Sequence, residues 1–413
     1  MRLRFLAILF LITTTIAQDS AKPQPKSVTV PFILDQNRIV IDMNIQLPDG
    51  STERVPAWLD NGNSQLVIAE RLTRSMKLTL VCAGQVCGAP FQTPQITIGG
   101  MKLSFSGLNA RVTQEPEHTD STAFPGMNVG MNIPSTVLRN YDILIDFPAR
   151  QLTIAQPGTL KFKGVKTKAI VNAQGLIEIP SQIENKRYNL GLDLGSSVTS
   201  LSPELFDKLS AAHPTWPHMT GAIGPANQWG DEAETTEELM RVDRLQYGPL
   251  FLTNVAAEKL QNVTTPFRSQ IDASASGVVG AEALLNYRVG LDYARSAVYF
   301  DIGRMVNFPD FDVVGLILRP EFDGTFTVAA IADYDGKSSV PEVQIGDRLV
   351  AVDDNPVRGA TMGQAWALLG GEPGKQHALT LERSGKQLIV NANVKHFLAE
   401  PDDTNFEGKS KKN

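Results

Sequence analysis

Two short stretches of this chain share one pattern. Residues 57–68 read AWLDNGNSQLVI, and residues 190–201 read LGLDLGSSVTSL. In each, an apolar run ends on an aspartate, Asp60 or Asp193; glycine follows two positions later and serine two after that. A lone Asp-x-Gly is ordinarily a turn, because Asn and Gly tolerate φ > 0. Two copies, each closing a hydrophobic run that normally excludes a carboxylate, ask for a fold that uses both.

The loops belong to a longer internal repeat. Strand-like sequence with turn signals precedes each one, IVIDMNIQLPDGSTERVPAWLD and GLIEIPSQIENKRYNLGLD, so a hairpin leads into each aspartate. Segments of helical character follow, AERLTRSM and SPELFDKLSAA. Each half then shows an apolar residue plus glycine, Val129-Gly130 and Val279-Gly280, with a helical stretch and two strands around Asp146-Phe147 or Asp292-Tyr293. Residues 28–160 and 165–305 therefore read as two copies of one β-rich unit, each far longer than a solenoid repeat.

Residues 311–398 read differently. GTFTVAAI is a strand, VQIGDRLVAVDDNPV a strand ending in a turn, TMGQAWALLGG a helix stopped by Gly370-Gly371, and HALTLERSGKQLIVNANV a hairpin. The polar tail, 400–413, is expected to be disordered. A net charge of −6 without a Lys/Arg run gives no ground for a nucleic-acid partner. At the N-terminus, Arg2 and Arg4 precede an apolar stretch from Phe5 to Ile12 and a small-x-small site ending at Ala17. Residues 1–17 read as a signal peptide, the apolar run being too short to span a bilayer, so export with no membrane span after cleavage is expected. In an exported chain the two cysteines, Cys82 and Cys87, point to a small disulfide loop. A metal pair would need further ligands, which the five histidines do not supply at zinc spacing, and C-x4-C is not the C-x-x-C of a thiol redox site. No metal or cofactor is expected. Asn262-Val263-Thr264 is a glycosylation sequon, meaningful only in a eukaryotic secretory pathway.

Taken together, the two halves resemble a bilobal aspartic protease of the pepsin/retropepsin type. The resemblance rests on the twin Asp-x-Gly loops at apolar strand ends and on the later apolar-Gly before a helix. It implies a mainly β fold of two barrel lobes, catalysis by Asp60 and Asp193, and loop support from Val129, Gly130, Val279 and Gly280. CAGQVC is similar to the small disulfide loop such enzymes often carry after the first aspartate. The last segment resembles an α+β PDZ domain of the bacterial exported-protease type. VVGLIL matches its carboxylate-binding loop and strand, which implies peptide binding by Val314, Gly315, Leu316, Ile317 and Leu318. The partners implied are a polypeptide substrate and a peptide C-terminus.

The chemistry explains the duplication. Like charges about 3 Å apart cannot both ionise, so two aspartates share one proton. The ionised carboxylate takes a proton from water and the neutral one donates to the substrate carbonyl. The active-site loops would be Asn61, Gly62, Asn63 and Ser64 with Leu194, Gly195, Ser196 and Ser197, the glycines letting the chain turn tightly beneath each carboxylate. Asn61 and Leu194 stand where the family pattern has Thr. Asn61 can still hydrogen-bond, but Leu194 has no hydroxyl, so a cross-lobe hydrogen bond is expected to be lost, and Thr at both positions is expected to raise activity. The hairpin PQITIGGMKLSF is a candidate cover for the cleft but carries no Tyr. Two alternatives to an endopeptidase stand beside it: a catalytically inactive peptide binder on the same scaffold, and an assembly factor of the cell envelope. Close approach of Asp60 and Asp193 would favour the enzyme.

Overall fold

The computed structural model describes residues 24–83, 86–90, 95–105, 107–113, 123–221, 228, 237–259, 275–302, 311–334 and 336–398. The signal peptide, the sequon at Asn262 and the tail 400–413 lie outside them. The fold is mainly β, with barrel-like sheets in two lobes and a third, smaller body.

Strict alternation builds the first lobe. In strand Arg38–Gln46, Ile41, Met43 and Ile45 point inward while Asp42, Asn44 and Gln46 are exposed. It pairs antiparallel with Thr52–Asp60, from Val40 opposite Trp58 to Gln46 opposite Thr52. The chain passes from Asp60 through a turn to strand Val67–Ala69 and helix Glu70–Ser75. It returns as strand Met131–Pro134, parallel to Thr52–Asp60 with Pro134 beside Asp60. The second lobe repeats the plan: strand Ile177–Ile183 pairs with Lys186–Leu192, Asp193 follows, and strand Thr199–Leu201 leads to helix Pro203–Ala212. Ser202 caps that helix, accepting from the Leu205 N–H, and Pro203 fits its first turn. Strand Ala275–Val279 runs parallel to Lys186–Leu192, placing Val279 opposite Leu192.

A six-stranded sheet joins the lobes. Strand Asp142–Asp146 of the first lobe lies antiparallel to Tyr287–Asp292 of the second, Leu144 opposite Gly290. Outer strands Ser27–Pro31 and Gln151–Ala155 flank one side, Ala297–Ile302 and Val165–Lys168 the other. One apolar core runs through both lobes and this sheet. Each fully buried Leu, Ile or Phe there contributes about 1.5–3 kcal/mol relative to exposure.

The third body has its own core, including Val314, Leu316, Leu318, Met362, Ala365 and Leu369. Its sheet places strand Leu316–Pro320 at an edge, paired on one side with Phe326–Ile331. Helix Met362–Leu369 opens with a Thr361/Gln364 capping box and stops at Gly370. Two contacts dock this body. A shared apolar cluster, with Val198, Met219 and Ala256 from lobe two, meets Phe311, Val313 and Phe397. From lobe one, Asp35 Oδ1 accepts from Thr361 Oγ1 and from the Gly363 N–H at 3.1 Å, supplying negative charge at the helix N-terminus.

Candidate active site

Asp60 and Asp193 are 1% and 2% exposed, and each lies against the glycine of the other lobe's loop. A methyl at Gly62 would fall 2.2 Å from Asp193 Cγ; a methyl at Gly195 would fall 2.8 Å from Asp60 Oδ1 and 3.2 Å from Asp193 Oδ1. The carboxyls thus converge on one small volume. Neither glycine adopts positive φ. Both sit in the turns after the aspartates, as expected, and their further requirement is room for the opposing carboxyl.

The two turns match. Asn63 N–H meets Asp60 O at 3.5 Å and Ser196 N–H meets Asp193 O at 3.4 Å. The Ser135 N–H supports the first loop at Asn63 O, 2.8 Å, and the Ala281 N–H supports the second at Ser196 O, 3.1 Å. By this register the first-lobe counterpart of Val279-Gly280 is Ile133-Pro134. Val129-Gly130 lies earlier in the chain: the Gly130 N–H donates to Pro56 O at 2.9 Å, and the residue packs tightly on Leu72 and Val55. It supports the strand below the loop, not the loop itself. Around the loops, Thr136 Oγ1 donates to Ser64 O at 2.9 Å, and Asn37 Nδ2 donates to Ser197 O at 3.1 Å.

Asn61 changes the expectation for the cross-lobe clamp. Its Nδ2 donates to Leu192 O at 2.7 Å and its Oδ1 accepts from the Leu194 N–H at 2.7 Å. One buried amide makes both bonds, and Leu194 needs no hydroxyl because its backbone answers. Its side chain joins the core, fully buried.

Sequence reading missed two residues that bear on the carboxyls. Asn132 Nδ2 donates to Asp60 Oδ2 at 3.0 Å; the Tyr247 hydroxyl donates to Gly191 O at 3.1 Å. A polar residue inside the apolar run GMNIP was the available signal for Asn132; Tyr247 had none. Burial, then the charge of Asp193, pushes Asp60 well above the usual carboxylate range, against opposing hydrogen bonds from Asn132 and Asn63. Burial also raises Asp193, to about 6, held down by the N–H groups of Gly195, Ser196 and Gly62. Tyr247 is pushed up by burial and by Asp193, so it stays neutral. Both carboxyls are thus held above the ordinary range, and the charge of Asp193 acts on Asp60.

The other expected residues sit apart. Cys82 and Cys87 form a disulfide across hairpin strands Val81–Ala83 and Val86–Pro90. The candidate cover pairs through Ile96–Ile98 with Arg38–Gln46 and buries Ile96, Ile98, Met101 and Leu103, so it is core rather than cover. In the third body Val314, Leu316, Ile317 and Leu318 are all buried. Gly315 has φ +84, and a methyl there would strike the Phe397 ring at 2.4 Å. A cavity of about 1620 Å³ lies between the lobes and the third body, bordered by Asn37, Val198, Glu282 and Trp366; neither aspartate borders it. The burial and the cross-lobe contacts, rather than cavity size, identify the site.

No family model matches the chain, and no curated protein matches it. Among solved structures, the aspartic proteinase from Irpex lacteus is similar at 13% identity and a TM-score of 0.39, over 67% of this chain and 97% of that one.

Proposed function

We propose that the chain is an exported aspartic-type endopeptidase whose Asp60 and Asp193 share a proton and activate water for peptide hydrolysis. The supporting observation is that each buried carboxyl packs against the other lobe's glycine, while burial raises both above the ordinary carboxylate range. Asp193, held by three backbone N–H groups, is the better carrier of charge and acts as base. Asp60, bonded by side-chain amides and facing the charge of Asp193, keeps the proton and donates it to the substrate carbonyl. Because the two titrate together, their apparent pKa values belong to the pair. Residues 311–398 are proposed to be a PDZ-type domain that takes a free chain terminus beside Leu316–Leu318 by strand addition. The edge position of strand Leu316–Pro320 supports this.

One observation favours a second reading, an inactive peptide-binding protein: the carboxyls are nearly inaccessible and the large cavity lies elsewhere. Incubation of the full chain with a diverse peptide library from about pH 3 to about pH 9 separates the two. Cleavage abolished by Asp60→Asn and by Asp193→Asn, and blocked by a statine inhibitor, is expected of the endopeptidase. No cleavage at any pH, with no statine binding, leaves the peptide binder.

A further inference from the structure

We infer that Glu282 is a positioning residue of the Asp193 loop that works as a neutral acid, so that its ionisation disturbs the dyad. This rests on the endopeptidase reading for its effect on activity, though not for the state of Glu282 itself.

The short helices Ser135–Leu138 and Ala281–Leu284 occupy matching places beneath the two loops, through the Ser135 and Ala281 N–H bonds described above. One residue further on, each helix reaches the neighbouring chain. In lobe one Thr136 Oγ1 donates to Ser64 O. In lobe two Glu282 Oε1 accepts from the Thr199 N–H at 2.6 Å. The remaining oxygen, Oε2, is sealed from solvent and has no hydrogen-bond partner among the described residues. It lies over Gly280, where a methyl would sit 2.4 Å from Glu282 Oε2 and 2.4 Å from Val198 O. A carboxyl oxygen and a carbonyl oxygen thus both face the space that Gly280 leaves open. A carboxylate oxygen sealed from water with no donor is costly, and a proton on the carboxyl removes that cost. Where lobe one uses a hydroxyl donor, lobe two has a side chain that donates only when neutral.

The surroundings favour the neutral form. Burial pushes Glu282 up to about 8, and the charge of Glu258 adds to this against the Thr199 hydrogen bonds. Glu258 accepts from Ser200 Oγ at 2.6 Å and Gln228 Nε2 at 3.0 Å, and burial raises it too. The strand Tyr287–Asp292, packed on the helix, carries Tyr287, Arg288 and Asp292; Arg288 pairs with Asp301 at 3.4 Å and Asp146 at 3.9 Å, and Asp292 with Arg295 at 2.8 Å. The adjoining cavity presents Asp35, Asp42, Arg54, Arg150 and Asp312. Ionised, Glu282 would press on Val198, which accepts from Ser196 Oγ at 2.7 Å and so connects to the loop holding Asp193.

Thermal unfolding of the full chain, wild type against Glu282→Gln, from about pH 4 to about pH 9 tests the inference. A carboxyl neutral in the fold up to about 8, with an ordinary value of 4.5 when unfolded, leaves the unfolded state with fewer protons between those values. Wild-type stability should fall across that window and level off above it. The dyad adds a slope common to both proteins, so the difference in Tm isolates Glu282. The variant's Tm should gain on wild type from about pH 5 to about pH 8 and then run parallel. A difference that does not change with pH overturns the inference. Carboxyl NMR of wild type needs no variant: no glutamate titrating above about pH 7 overturns it equally. On the peptide library, Glu282→Gln should extend activity to higher pH, which a merely structural role would not do. If neither protein cleaves at any pH, the endopeptidase reading fails and the unfolding curves still decide the state of Glu282.

Discussion

Asp60 is held by side chains and Asp193 by backbone. Asn132 and Asn63 bond the first; the N–H groups of Gly195, Ser196 and Gly62 bond the second. Backbone amides favour the ionised form wherever the turn exists, whatever side chains surround it. Side-chain amides do so only while those residues are present. Two copies of one turn therefore hold their carboxyls through different partners, an inequality that the proposed acid and base would use. The clamp is divided in the same way: lobe one gives the Asn61 side chain and lobe two answers with the backbone of Leu192 and Leu194.

The largest expected effect tests whether both lobes are needed. Asp60→Asn and Asp193→Asn should each lower hydrolysis of a library-derived peptide by at least about a hundredfold, since general acid–base catalysis supplies roughly 10²–10⁴. Both variants should keep the wild-type circular dichroism spectrum. Substantial turnover in either one would remove the division of roles.

Next come the glycines. Gly62→Ala sets a methyl 2.2 Å from Asp193 Cγ, and Gly195→Ala sets one 2.8 Å from Asp60 Oδ1. Both should lose activity, Gly62→Ala more, with overpacking costs on the order of 1–3 kcal/mol in denaturant unfolding. Equal tolerance of the two would mean that the loops can spread.

The clamp should show its one-sidedness. Asn61→Ala strands the buried Leu192 carbonyl and the Leu194 N–H, at on the order of 1–3 kcal/mol for each group left unpaired. Thr at positions 61 and 194, which the family pattern suggests as an improvement, should lower activity, because it removes the amide that makes both bonds. Kinetics of Asn61→Ala beside the double variant would decide this; higher turnover in the double variant would restore the sequence-based expectation.

The smallest effect is a shift in pH dependence. On the proposed roles, activity should rise as the pair loses its first proton, at about 6, and fall as it loses the second. Asn132→Leu removes a bond to the charged form of Asp60, so the alkaline limb should move to higher pH while the acid limb stays. A shift of the acid limb alone would reverse the assigned roles.

The paired loops were readable because each signal is local: an aspartate ending an apolar run, glycine two positions on, and a hairpin before it. The strands, hairpin and helix of the third segment were readable from its apolar runs, its turn signals and the Gly370-Gly371 stop. The support beneath the first loop was not. An apolar-Gly pair occurs in both halves, but only lobe two requires glycine there, where a Cβ would meet Val198 O at 2.4 Å. Lobe one accepts Pro134 at the matching place, so matching the glycines led to the wrong register. Asn132 and Asn61 act on groups distant in the chain, and a single sequence does not show whether a polar residue in a buried strand finds a partner.

The sheet that joins the lobes also orders events in time. Strand Asp142–Asp146 has no partner on one side until Tyr287–Asp292 has been made, and the second aspartate's loop rests on a strand that ends at Val279. Such long-range pairings close late in folding. A ribosome that has released only the first half has produced one carboxyl without its counterpart. The pair of carboxyls is completed only when most of the polypeptide has emerged, so any hydrolysis they support would wait for the second lobe. A truncated chain ending before Ala275 should therefore cleave no peptide.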